Sequence, residues 1–219
     1  MRDSFDRRVV PDAALELVRA CQRRVPCHLG GGAALSGAYL AHRLSGDLDL
    51  FCHARSDVRE LVHALPAAAE ESGVSIQLSR DAGSFVRAVV ALPDRQMELD
   101  LVFEQTPDLE PPPRAIDGVI VESLADLRAA KLTCILSRSE PRDLVDLLFL
   151  DRAGHAPERD VELALQKDAG IDPGVLAWLL AQFPLHPLPA MLVPLDEKEL
   201  RTFRDDLRDR FKRIGVPGG

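Results

Sequence analysis

The sequence predicts an α+β chain: a mixed sheet layered with helices over residues 1–113, followed by a helical region over 114–219. Three observations lead there. Residues 46–52 and 96–104 alternate apolar and polar side chains with the period of two that marks a half-buried strand, and the largely apolar run 84–92 reads as another strand. The stretches between and after them repeat their apolar residues with helical spacing. The texture changes across the proline-rich segment 106–114, TPDLEPPPR, which can be neither an interior helix nor a central strand.

In chain order, residues 12–24 form a helix, because Ala13, Leu17, Ala20 and Cys21 recur on one face and Asp12 stands at its start. Residues 33–43 suit a second helix, entered from three glycines. A strand follows at 46–52, then a helix at 58–71 ended by Gly73, which can take the left-handed conformation of a helix stop. Three strands are read at 74–78, 84–92 and 96–104. Past the prolines come helices at 124–137, 142–152, 161–167, 174–183 and 196–213. A second proline-rich connection, 183–194, separates the last two. The final helix carries seven basic and six acidic residues, a solvated face laced with ion pairs rather than a nucleic-acid contact.

Twenty-seven basic residues against 35 acidic ones give a net charge of −8, which argues against a non-specific nucleic-acid coat. No apolar run approaches the roughly 18 residues needed to cross a bilayer, and the N-terminus has no apolar signal core. Cysteines at 21, 27, 52 and 134 form no paired motif. They read as reduced thiols of a cytoplasmic protein. Cys52 is expected to pack at a strand end in preference to joining His53 in a zinc site.

Carboxylates two residues apart on a strand share a face. Six such pairs occur among the 35 acids of this 219-residue chain, and independent scatter alone gives about five or six. Context therefore decides. In Asp47-Leu48-Asp49-Leu50-Phe51 the leucines face one way and the aspartates the other; in residues 97–103 the apolar face leaves Glu98 and Asp100 opposite. Acids from two strands on one sheet face would repel unless something positive sits among them, and hard oxygen donors suit Mg²⁺. The run Leu29-Gly30-Gly31-Gly32-Ala33 precedes a helix just upstream, where close backbone approach and free N–H groups suit a phosphate. Lys131 lies in an otherwise apolar stretch, and Asp143 and Asp146 share a face of the next helix. Those three residues fit either a polar cleft or an internal network docking two helices.

Together LGGGAALSGAYLAHRLSGDLDLF (29–51), ELDLV (98–102) and LADLRAAKLTCILSRSEPRDLVDLLFL (124–150) resemble the AbiEii/AbiGii toxin family of nucleotidyltransferases. That family belongs to the DNA polymerase β-like superfamily, with the MenT-type toxins as relatives. The resemblance implies a polymerase β-like nucleotidyltransferase core, a helical C-terminal half contributing Lys131 and Asp143 to the site, an NTP substrate and a two-ion Mg²⁺ site. Asp47 and Asp49 match the metal-binding pair, Asp100 the third carboxylate that activates the attacking hydroxyl, and Gly31 and Gly32 the phosphate turn. Lys131 matches the motif lysine at the triphosphate and Asp143 the later acidic position. Arg43, Ser45, Arg142 and Asp146 complete the candidate nucleotide-binding set. The superfamily often has Ser or Thr after the paired glycines; this chain has Ala33.

The implied activity is transfer of an NMP from an NTP to an acceptor hydroxyl of tRNA or another macromolecule, by a toxin with a cognate antitoxin. A small-molecule acceptor and a non-catalytic nucleotide- or partner-binding role are the alternatives.

Overall fold

The computed structural model describes residues 4–110 and 114–215. Residues 111–113, within the first proline-rich connection, lie outside the described residues. Two compact units divide the chain, Met1–Ser123 and Leu124–Gly219.

In the first unit the elements run α1 (Asp12–Gln22), β1 (His28–Gly30), α2 (Gly31–Ala34), a π-helical turn (Leu35–Leu40), β2 (Asp47–Cys52), α3 (Arg55–Ser72), β3 (Ser75–Asp81), β4 (Phe85–Ala91), β5 (Gln96–Phe103), β6 (Arg114–Ile116) and β7 (Val119–Val121). The seven strands form one mixed sheet, ordered β3-β4-β5-β2-β1-β7-β6. β2 pairs with β5 and β1 with β7 in parallel; the other pairs are antiparallel. Helix α3 lies against β2, β3, β4 and β5 and packs on α1. Its buried face is Val58, Leu61, Leu65, Ala68 and Ala69, and Gly73 closes it in the left-handed region as expected. Leu48, Leu50, Leu99 and Leu101 are fully buried. At about 1.5–3 kcal/mol per buried aliphatic side chain, these four stabilise the β2–β5 pair on its apolar side.

The expected helix at 33–43 ends early. Ala41 takes a left-handed conformation, φ 52°, and stops the turn. The Ser36 hydroxyl donates to the Arg43 carbonyl (2.6 Å), and the Arg43 N–H donates back to that hydroxyl (3.3 Å). This local bonding draws the backbone out of the helical ladder and leaves His42 and Arg43 buried beyond it.

Three short strands go beyond the sequence expectations. β1 is only three residues long. β6 and β7 form a hairpin around Asp117-Gly118, both with positive φ (51° and 73°), the geometry of a type I′ turn. The Asp117 carboxylate accepts from the Phe5 N–H (2.8 Å) and from Arg7 (2.7 Å), and Arg19 donates to the Asp117 carbonyl.

The second unit holds α4 (Leu124–Ser137), α5 (Pro141–Arg152), a 3₁₀ turn (Pro157–Asp160), α6 (Val161–Lys167), α7 (Pro173–Ala181) and α8 (Glu197–Gly215). Pro141 and Pro173 open their helices, where a missing N–H costs nothing. Leu200, Phe203, Leu207 and Phe211 form the buried stripe of α8, which packs on α7. Its other face is laced with ion pairs such as Arg208–Asp209 and Arg210–Asp206, as expected. Arg210 also reaches Asp151 and Glu158, fastening α8 to its neighbours. Inside the unit, Lys167 pairs with the fully buried Asp126 (2.6 Å), and Arg128 pairs with Asp160.

Cys21, Cys27 and Cys52 are buried and Cys134 half-buried, all with free thiols. Burial pushes the Cys21 and Cys52 thiols up to about 12 and Cys27 further still. The thiolate is the reactive form, so at pH 8 these three should alkylate about 10³-fold more slowly than a free thiol. Mass-spectrometric labelling of folded against unfolded protein checks this. Cys52 packs at its strand end as expected.

Candidate active site

Strand register creates the acidic face. In the parallel β2–β5 pair, Asp47 stands opposite Glu98 and Asp49 opposite Asp100. The same alternation that sends the leucines into the core brings all four carboxylates to the other side of the sheet. Asp100 is 6% exposed, while Asp47, Asp49 and Glu98 are half-buried.

The positive group that such a face requires comes from the next strand. Arg87 on β4 is the antiparallel partner of Asp100. Its guanidinium grips that carboxylate with two bonds of 2.7 Å and reaches Glu98 at 2.8 Å. Chiefly through the Asp100 hydrogen bonds, against an opposing cost of burial, the Arg87 guanidinium is held protonated well above its ordinary range. Arg87 thus offsets repulsion among the acids and fixes the Asp100 rotamer. Neighbouring arginines go elsewhere: Arg59 pairs with Asp81, Arg55 lies over the Phe103 ring, and Arg80 lies over Phe85.

The glycine turn meets the same face from β1. Gly30 is the antiparallel partner of Asp49. Gly31 has φ +61°, and a Cβ there would lie 1.9 Å from Asp49 Oδ2. A Cβ on Gly32 would lie 2.8 Å from an Arg43 nitrogen and 3.1 Å from the Ser45 hydroxyl. Only glycine allows this close approach of backbone to a carboxylate. Arg43 is 3% exposed and donates to the Leu44 carbonyl (2.9 Å); Ser45 donates to the Asp47 carbonyl (3.3 Å). Both therefore lie behind the turn and the start of β2.

The second unit carries the remaining candidates. Lys131 on α4, 4% exposed, stands between Asp143 (3.2 Å) and Asp146 (2.7 Å), both fully buried on α5. Arg138 adds two bonds to Asp143, 2.8 and 2.9 Å. Burial is the largest single influence and opposes the Arg138 charge, yet the Asp143 hydrogen bonds and the attraction of the surrounding negative groups together outweigh it and hold the guanidinium above its ordinary range. Two cations thus meet two anions, and the network docks α4 on α5. Arg138 was not among the sequence candidates. Arg142, half-buried, pairs with Glu140 (2.6 Å).

Among the described residues, one group of three His, Cys, Asp or Glu side chains brings its ligand atoms within 4.8 Å of one another: His28, His53 and Asp108. Asp47, Asp49 and Asp100 share a face and a register without forming such a group, Asp100 being engaged by Arg87. Hard oxygen donors from Asp47 and Asp49, with Gly31 packed onto Asp49, nonetheless fit an oxygen-loving divalent cation beside a phosphate turn.

Residues 17–216 match the family model described as nucleotidyl transferase AbiEii toxin, type IV toxin–antitoxin system. Among solved structures, JHP933 from Helicobacter pylori is similar at 23% identity, with 94% of each chain covered and a TM-score of 0.60. A second H. pylori structure, described as a candidate nucleotidyltransferase, is similar at 19% identity over 93% of this chain and 95% of that one, TM-score 0.55. At these identities the likeness concerns the fold. No curated protein matches. Among the described residues, no helix is long and apolar enough to cross a membrane.

Proposed function

Because the chain belongs to the AbiEii family of nucleotidyl transferase toxins, we propose that it moves an NMP from an NTP to an acceptor hydroxyl on tRNA or another macromolecule. The family is a nucleotidyltransferase family with a toxin–antitoxin context, which supports the enzyme class and a cognate antitoxin as partner. A cytoplasmic setting would supply both nucleotide and acceptor.

One observation carries the reading: a phosphate-type glycine turn is packed so closely on Asp49 that no side chain fits between them. In the proposed reaction the acceptor oxygen attacks the α-phosphorus, its bond to the bridging oxygen breaks, and pyrophosphate leaves. Asp47, Asp49 and Asp100 would hold Mg²⁺, two ions in all, which when bound supplies charge neutralisation at the attacking and leaving oxygens. Backbone N–H groups at Gly31 and Gly32 face the triphosphate, and Arg43 and Ser45 serve nucleotide binding by bracing that turn. Asp100 takes the acceptor proton after exchanging one of its Arg87 bonds. On the helical unit, family membership favours a nucleotide-binding role for Lys131 and Arg142, with Asp143 and Asp146 orienting Lys131. Such catalysis is mostly positioning and charge, and it needs no covalent intermediate.

Gly31→Ala tests the turn. The left-handed conformation costs a non-glycine residue about 1–2 kcal/mol, and the new methyl must displace Asp49. A displacement of about 1 Å can cost roughly 10²-fold in rate. We expect kcat to fall by about that factor with an unchanged circular dichroism spectrum.

The acceptor is tested by incubating the protein with each α-labelled NTP, Mg²⁺ and total tRNA. Label on tRNA that disappears with Asp49→Ala supports the proposal. Label on small alcohols or aminoglycosides alone would replace the acceptor. NTP binding with no transfer to any acceptor would replace the activity.

A further inference from the structure

We propose that His28, His53 and Asp108 bind one divalent transition-metal ion of the zinc class, at a site separate from the acidic face. His28 begins β1, His53 follows the last residue of β2, and Asp108 lies in the connection after β5. The ligand-capable atoms of all three lie within 4.8 Å of one another. The two imidazole rings are 5.5 Å apart, and His28 stacks on Phe51 at 5.8 Å.

The hydrogen bonds of His53 explain why a cation belongs here. Its Nδ1 faces the Glu104 carbonyl at 3.3 Å, and a carbonyl only accepts, so Nδ1 carries the proton. Nε2 faces the Asp108 Oδ1 at 3.1 Å, and a carboxylate oxygen only accepts, so a second proton or a metal ion must stand between them. A proton would serve two atoms, whereas three ligand atoms converge here, and two imidazoles with one carboxylate are a zinc-type donor set. The bond from Nδ1 to a backbone carbonyl is the outer contact that commonly fixes the tautomer of a metal-ligating histidine. His53 and Asp108 also line an open pocket of about 410 Å³ with Gln105 and Pro107, which leaves room for a fourth, water ligand. Cys52 is not in the group.

This ion would not be one of a catalytic pair. His53 lies four residues beyond Asp49 along the strand, about 13 Å at strand rise, whereas paired catalytic ions sit about 3.5–4 Å apart. Its effect would be to pin residues 104–110 to the ends of β1 and β2.

The test is a Zn²⁺ titration of the chelator-stripped full chain, followed by competition with a chromogenic chelator, in the wild type and in Asp47→Asn/Asp49→Asn. We expect one tight, chelator-competing equivalent in both, with any weaker binding at the acidic face confined to the wild type, visible d–d absorption when Co²⁺ replaces Zn²⁺, and a Tm raised by Zn²⁺. His53→Ala and Asp108→Asn should each weaken binding roughly 100-fold and abolish the Tm rise, as loss of one of three ligands demands. Both residues are at least partly exposed, so these variants should fold. No bound equivalent in the double aspartate variant, or wild-type binding by His53→Ala and Asp108→Asn, would overturn the site.

Discussion

Asp49→Asn should abolish nucleotidyl transfer while leaving the fold intact. The substitution keeps the shape against which Gly31 packs and removes one of the charges that suit a divalent ion. If that ion supplies several kcal/mol of charge stabilisation, its weakening should lower kcat by about 10²–10⁴-fold. The effect belongs to chemistry and not to stability, so far-UV circular dichroism and the unfolding midpoint in urea should stay close to wild type. Raising Mg²⁺ should rescue part of the loss, because a weakened site is filled by mass action. An inactive variant that is also unfolded would remove Asp49 from the chemical account.

Lys131→Met should do the opposite first: unfold the helical unit. It strips one cation from a network in which Asp143 and Asp146 are fully buried. Breaking a buried pair by deleting one partner typically costs about 3–5 kcal/mol, or roughly 6–20 °C in Tm for a chain of this size. Lys131→Met combined with Asp146→Asn removes one charge of each sign and should recover much of that stability. The combination separates two roles that a single variant confounds. If Lys131 touches the triphosphate, the double variant stays inactive at temperatures where it is folded, with a raised KM for NTP. If it recovers both stability and transfer, Lys131 serves α4–α5 docking alone.

Local pattern carried much of this chain, and long-range pairing carried the rest. The alternation around Asp47 and Asp49, and around Glu98 and Asp100, told which face each carboxylate takes, since strand periodicity is a property of adjacent residues. It could not tell that Asp49 stands level with Asp100. That register depends on two strands whose paired residues are 51 positions apart, and on leucines that must all reach the same apolar side. Arg87 escaped notice for the same reason: its role exists only once β4 folds back on β5 and aligns it with Asp100.

The missed hairpin is a different case. Asp117-Gly118 between Arg114–Ile116 and Val119–Val121 is the strongest short-range turn signal, and it was overlooked beside the prolines. β1 is too short for periodicity to register and was absorbed into the glycine run. The helix at 33–43 had the right period but the wrong end, because the Ser36 side chain competes for the backbone that would have continued it. On α5, the three-residue spacing of Asp143 and Asp146 was legible, while Arg138 lies before the helix and pairs through a turn that sequence does not display.

On the proposed function this acidic face transfers a nucleotide and not a terminal phosphate. The direct measurement is acceptor labelling with NTP carrying the label at the α- or at the γ-phosphate, in Mg²⁺ and total tRNA. We predict that α-label enters the acceptor, γ-label appears only in pyrophosphate, and both signals vanish with Asp49→Asn. Entry of γ-label into the acceptor, or α-label transfer undiminished in Asp49→Asn, would contradict the account.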